Sequence, residues 1–206
     1  QTLATSAMQL LSCISLTVLL LLSPTAWSQS ARKQDPLQLE NLRLMDVTGV
    51  VHEPAKSKGT VAVVFVYVDT TCPIANFYQP SLRRLARTFE AKGVRFFQIH
   101  PDPDGKKEDL ARHAREFEVI SPVILDNKQD YARLHKARVT PEAHVYLRNG
   151  TCVYRGRIDD TYTTYGKRRP KPTTRDLEDA LAAILGGRKV TTPVTKAIGC
   201  QILIEP

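Results

Sequence analysis

The chain has 206 residues, 42% hydrophobic and 24% charged, a balance that suits an ordinary globular domain and excludes a disordered or fibrous chain. Lys and Arg number 29 against 21 Asp and Glu, and the resulting +8 favours encounter with anionic surfaces without making a nucleic-acid binder. Four scattered cysteines exclude a disulfide-dense mini-protein and zinc-finger spacing, so each must be read singly.

The apolar run Leu10 to Leu22, followed by Ala26-Trp27-Ser28, reads as the core and cleavage site of a secretory signal peptide over residues 1–28. The run is about 13 residues, short of the roughly 20 a membrane-spanning helix needs, and an uncleaved anchor is the alternative. Cys13 falls inside this segment and would be discarded. The implied destination is secreted or periplasmic, with no stable membrane association after cleavage, in an oxidising compartment where disulfide bonds persist.

Residues 29–36 are polar and read as a tether, residues 37–187 as the domain, and residues 188–206 as a tail carrying Cys200. A short extended segment through Leu39, Leu42, Leu44 and Val47 leads into a turn at Thr48-Gly49. Thr60 to Val68 is β-branched and aromatic throughout, the pattern of a strand buried on both faces. Helical spacing follows through Tyr78, Leu82, Leu85, Ala86 and Phe89, and Val94 to Ile99 returns to strand composition. This βαβ unit favours a mainly parallel core.

An amphipathic helix is expected over Lys106 to Phe117, a strand at Pro122 to Leu125, and a helical turn or two at Tyr131 to Lys136. Ala143 to Leu147 and Thr151 to Arg155 flank Asn149-Gly150, a hairpin signal for an antiparallel edge pair. Asn149-Gly150-Thr151 is also a glycosylation sequon, read here first as turn chemistry. Thr174 is the expected cap of a last helix through Leu177, Leu181 and Leu185, stopped by Gly186-Gly187. Lys167 to Lys171 forms a basic loop, and the tail from Arg188 shows no period.

A buried strand that delivers Cys72 to the start of a helix is a chemical arrangement, because free N–H groups and the positive helix end favour thiolate over thiol. Pro73 suits the first helical turn, which makes Cys72 the candidate nucleophile rather than a small buried core residue.

This order of elements, Pro80 eight residues after Cys72, and Val139-Thr140-Pro141 ahead of the hairpin resemble the thioredoxin-like superfamily, closest to its redoxin (peroxiredoxin/AhpC-TSA-like) branch. The resemblance implies an α/β thioredoxin-like fold: a central mixed sheet with an antiparallel edge hairpin, flanked by helices, with the redoxin-type strand-helix insertion between Gly93 and Val123. It further implies a cis proline at Pro141 beside the reactive cysteine. Asp46-Val47-Thr48-Gly49 resembles the N-terminal redoxin hairpin.

The motif departs from its models. Cys72-Pro73-Ile74-Ala75 lacks the second cysteine of C-x-x-C, and Phe65 and Asp69 stand where peroxiredoxins carry proline and threonine, with Thr70 and Thr71 as near substitutes. Asn76 replaces the second cysteine of copper-delivering C-x-x-x-C proteins, leaving an unorthodox Cu(I) ligand set involving His100, His144 or a distant cysteine. The five histidines show no metal-hydrolase grouping, and no cofactor or resident metal is expected.

The expected function is an exported thiol-disulfide oxidoreductase or antioxidant redoxin. Cys72 is its nucleophile, Pro141 shapes the groove, Thr71 lies beside the thiol, and Cys200 is a remote resolving thiol. Arg155 or Arg157 would depress the thiol and hold an anionic intermediate, with surface ion pairing to Asp159 and Asp160 as the alternative. The alternative pairing is a structural Cys152–Cys200 disulfide. Partners would be a disulfide or peroxide substrate, of protein or small-molecule kind, and a thiol electron donor, with no specific nucleic acid. The rival class is a non-catalytic binding module or Cu(I) metallochaperone using the same cysteines.

Overall fold

The computed structural model describes residues 36–204; the expected signal segment, Cys13 and all but the last residue of the tether lie outside the described residues. A 3-10 turn at Leu39–Asn41 precedes β1 (Leu44–Met45) and β2 (Val51–His52), an antiparallel pair around the Asp46 turn. The Asp46 carboxylate closes that turn by accepting the Thr48 and Val50 amides at 2.9 and 3.0 Å. The remaining elements are β3 (Ala62–Tyr67), α1 (Pro73–Glu90), β4 (Val94–His100), α2 (Lys107–Glu116), β5 (Val123–Leu125), α3 (Asp130–His135) and β6 (Val139–Thr140). They continue through β7 (Glu142–Leu147), β8 (Cys152–Gly156), β9 (Tyr162–Thr164), β10 (Lys167–Arg168), α4 (Asp176–Leu185) and β11 (Cys200–Gln201).

The central sheet runs β5-β4-β3-β7-β8, parallel across its first three strands and antiparallel across the last two. This is the thioredoxin-like mixed sheet with its edge hairpin. β3 lies at the centre with all six residues buried, as its uninterrupted apolar composition requires. Alternation along β3 divides the core in two. Val64 and Val66 meet Leu82, Leu85 and Phe89 of α1 and Leu177 and Leu181 of α4, while Phe65 and Tyr67 face Leu39, Ile99, Ile124 and Ala132. Each of the Val, Leu, Ile and Phe side chains among them contributes roughly 1.5–3 kcal/mol by leaving water.

Two polar features are built into α1. Gln79 and Gln98 exchange reciprocal amide hydrogen bonds of 3.0 and 2.8 Å within the buried layer between helix and sheet. Pro80 cannot donate to the Asn76 carbonyl one turn back.

Three local expectations differ from the structure. Thr174 does not cap α4; the N-cap is Arg175, without a side-chain bond, and the Thr174 hydroxyl donates to Asp176 at 2.8 Å. The orphan Leu177 amide is satisfied by the Ile158 carbonyl, and Asp176, Glu178 and Asp179 complement the helix end. The basic 167–171 loop begins as β10, the second arm of a hairpin turning at Tyr165-Gly166. The aperiodic tail carries β11, which pairs antiparallel with β6, Cys200 opposite Thr140. Two-residue ladders have no sequence period; they depend on a partner brought from elsewhere.

Candidate active site

The central strand positions Cys72 through a short, hydrogen-bonded loop. After β3, the Val68 amide donates to the Ile99 carbonyl at 2.9 Å, and Asp69 then organises the turn. The Asp69 carboxylate accepts the Thr71 amide at 2.7 Å and the Thr71 hydroxyl at 2.8 Å, while its backbone carbonyl accepts the Cys72 amide at 3.2 Å. Cys72 is the N-cap of α1, Pro73 is its first helical residue, and the Ala75 amide donates to the Cys72 sulfur at 3.5 Å. Asn76 braces the loop by donating to the Thr70 carbonyl at 2.9 Å, with His113 Nε2 2.8 Å from its side-chain oxygen.

The second wall is the β6–β7 junction. The Thr140–Pro141 peptide is cis, as the resemblance implied, and the Thr140 carbonyl lies 3.1 Å from Cys72 Sγ, where it accepts the thiol proton. On the other side of Thr140 the tail closes in. Gly199 comes so near that a Cβ there would fall 2.0 Å from the Thr140 carbonyl oxygen, so only glycine admits this approach. Further along, the Ile202 amide donates to the Arg138 carbonyl at 2.9 Å. Upstream, the Arg155 amide donates to Pro193 and the Thr195 amide to Arg155, at 2.9 and 3.0 Å.

The outcome is a close pair of free thiols. The Cys200 side chain hydrogen-bonds to Cys72. Burial pushes the Cys72 thiol up, but the Cys200 side chain and the Ala75 amide outweigh it, leaving Cys72 below an ordinary thiol. Burial and the adjacent Cys72 push Cys200 up to about 12. Two thiols in contact share a proton, so one ionises more easily at the expense of the other. Cys72 is 1% exposed, whereas Cys200 is half-buried and its sulfur takes a hydrogen bond from exposed Tyr165 in the β9–β10 hairpin.

The other expected site residues lie elsewhere. Thr71 is exposed and its hydroxyl is held by Asp69. Arg157 forms a two-pronged ion pair with Asp176 at 2.8 and 3.2 Å, tying β8 to α4. Arg155 pairs in register with His144, on the sheet face turned away from α1 and Cys72. The strand alternation that packs Tyr154 against the α1 side sends Arg155 to the other. Neither arginine is among the main influences on Cys72, and neither pairs with Asp159. Cys152 packs in the second core, while Cys200 packs against the first, so the structure separates the cysteines of the alternative disulfide.

Thr140, Tyr165 and Gly199 completed the site without having been singled out for it. Only the small residue preceding Cys200 offered a sequence signal for a close approach. A pocket of about 190 Å³ adjoins Thr140 and is lined by Asp69, His100 and Gln201; neither thiol lines it. No three His, Cys, Asp or Glu side chains gather as a metal site among the described residues.

The fold has clear relatives among solved structures. An uncharacterised conserved protein from Geobacillus kaustophilus is 28% identical with a TM-score of 0.70, over 85% of this chain and 92% of its own. A hypothetical protein from Sinorhizobium meliloti is 26% identical with a TM-score of 0.69, over 78% and 89%. A structure assigned as the thiol:disulfide interchange protein DsbE from Chlorobium tepidum shares the fold at 20% identity and a TM-score of 0.56, over 75% and 96%. No curated protein matches the chain. The model of the AhpC/TSA family matches residues 38–158, more than half of the sequence and the whole span from the N-terminal turn through Cys72, Pro141 and the edge hairpin. The chain is a thioredoxin-like redoxin and belongs to the AhpC/TSA family.

Proposed function

We propose that this redoxin exchanges thiols and disulfides through a Cys72–Cys200 couple, in an extracytoplasmic compartment reached by the N-terminal signal segment. The observation that carries the reading is the contact between the two thiols, brought together from opposite ends of the domain. Forming the bond removes two electrons and two protons from the pair, and breaking it returns them, so a client dithiol is oxidised or a client disulfide reduced. The remote cysteine supplies what C-x-x-C would supply locally. Peroxide reduction finds less support, because Thr71 is bound to Asp69 and Arg157 to Asp176, away from the thiol.

The test is a non-reducing peptide mass map of the protein after mild oxidation and again after dithiol treatment. A reversible Cys72–Cys200 bond is expected; a stable Cys152–Cys200 bond, or none, refutes the reading. The same contact also supports Cu(I) carriage, since two adjacent thiolates suit a linear soft-metal site. Stoichiometric Cu(I) uptake by the reduced protein, lost in Cys72→Ser, would favour that role.

A further inference from the structure

The two sulfurs are not equally placed with respect to solvent. Cys72 is enclosed: Ala75 N–H and the Thr140 carbonyl hold two sides of its sulfur, and the tail covers a third. Only 1% of the residue is exposed. Cys200 forms the outer member of the pair, half-buried on a two-residue edge ladder. Beside it lie the exposed Tyr165 and the Asp69 carboxylate. Tyr165, 65% exposed, hydrogen-bonds to Cys200, and Tyr165 sits in the hairpin that bears exposed Lys167 and Arg168. Arg168 lies over the Phe77 ring, 4.9 Å from its centroid.

Thiol-disulfide exchange is an in-line displacement: the incoming thiolate must approach along the extension of the bond it breaks. Attack on Cys72 would require entry from the side held by α1 and Thr140. Attack on Cys200 comes from outside, past Tyr165, on the side of the pair that faces solvent.

We propose that, in the oxidised protein, client thiolates attack Cys200 and expel Cys72, so the remote cysteine is the client-binding sulfur and the helix-capping cysteine the leaving one. This rests on the Cys72–Cys200 couple proposed above. The client sulfur bonds to Cys200 as the Cys72–Cys200 bond breaks, its electron pair leaving on Cys72. A second thiolate of the same client then attacks the first client sulfur and displaces Cys200 as a thiolate, which takes up a proton. One client dithiol becomes a disulfide and the protein disulfide becomes a dithiol, with two electrons passed from client to protein. The low-lying Cys72 thiol is the better leaving group, and the high-lying Cys200 thiol is a poor one. Both preferences act on the first displacement, in the direction that geometry selects: client attack on Cys200 with Cys72 leaving.

The experiment uses the oxidised wild-type protein and a peptide with a single cysteine in large excess. A first mass map establishes the Cys72–Cys200 bond; its absence overturns the parent reading and this one with it. Samples are then acid-quenched at successive early times and the peptide adduct is located by digestion. The adduct is expected on Cys200 in at least ten-fold excess over Cys72. With the starting bond present, an adduct mainly on Cys72, or divided equally, overturns the assignment of the outer sulfur while leaving the couple intact.

Discussion

Replacing Gly199 by alanine should disconnect the two thiols without touching either. The new Cβ would fall 2.0 Å from the Thr140 oxygen, 2.6 Å from its carbonyl carbon and 3.1 Å from the Pro141 nitrogen. All three are backbone atoms at the β6–β7 junction, so the strain cannot be relieved by a rotamer change. Overpacking of this kind costs typically about 1–3 kcal/mol. The reduced protein escapes that cost by letting β11 lift from its two-residue ladder, but the disulfide must bring Cys200 back against Cys72 and incur it. For a two-electron couple, about 1.4 kcal/mol corresponds to 30 mV, so the reduction potential should rise by roughly 20–60 mV. Alanine also narrows the unfolded ensemble, but oxidised and reduced proteins share that effect. Equilibration against a glutathione buffer, with thiols counted by alkylation, reads the potential. In the same variant Cys72 should alkylate faster once uncovered, and its half-maximal rate should move to higher pH as the Cys200 hydrogen bond is lost. An unchanged potential together with an unchanged alkylation profile would refute the argument that Gly199 docks the tail.

Three further outcomes follow from other contacts. Cys200→Ala should move the ionisation of Cys72 to higher pH, read from the pH dependence of iodoacetamide alkylation, because the main group favouring its thiolate is removed; no upward shift would contradict the shared-proton account. Gln79→Leu strands the Gln98 amide in the buried layer and should cost about 1–3 kcal/mol in urea unfolding, with the Gln79→Leu/Gln98→Leu double variant less destabilised than the single change suggests. Burial holds His100 and His135 down to about 3, helped by His113 and His144 respectively, so both fold as neutral bases. Their stability contribution is complete above the unfolded value near 6.5 and is lost as pH falls through the window toward about 3, by up to roughly 1.4 kcal/mol per pH unit for each group. His135→Phe should flatten that acid limb, as seen in urea midpoints between pH 7 and pH 4.

How much of this was legible in the sequence varies with the range of the interaction. β3 and α1 were visible because a continuous β-branched run and a 3.6-residue repeat are properties of the segments themselves. The edge hairpin followed from Asn149-Gly150, where Gly150 has φ of 81°. Cys72 as a helix cap and Pro141 as a cis proline came from motif order and the family resemblance. The Cys200 contact was expected only as one of two pairings, since nothing local in the tail shows which face of the sheet it will cross. Arg155 could have been placed by alternation from Tyr154, once Tyr154 was known to point toward α1. The β9–β10 hairpin carries no such signal, because its turn, Tyr165-Gly166, is flanked by threonines and cations instead of an alternating apolar pattern.

Placing the second thiol on a tail gives the couple a property that a C-x-x-C helix lacks. A local disulfide closes a small ring within one helix and barely alters the constraints on the rest of the chain. A Cys72–Cys200 bond closes a loop of about 130 residues, which the chain-entropy model values at about 5 kcal/mol of added stability. Oxidation therefore anchors segments that are otherwise held by separate weak contacts: the Pro193 and Thr195 bonds to β8, the β11–β6 ladder, and the Ile202 bond to Arg138. Reduction leaves the tail to those backbone bonds and to side-chain contacts, among them the Thr195 hydroxyl at Tyr154, the Gln129 amide on the Leu203 carbonyl, and the partly buried Ile198 and Ile202. The tail should consequently exchange its amide hydrogens faster in the dithiol form, most visibly at Gln201 and Ile202, while β3 exchanges only by global unfolding in both forms. Protection at these two amides that is equal in the oxidised and reduced proteins, measured under conditions where β3 remains protected, would show that the tail is fixed by its noncovalent contacts and that the disulfide adds nothing to its docking.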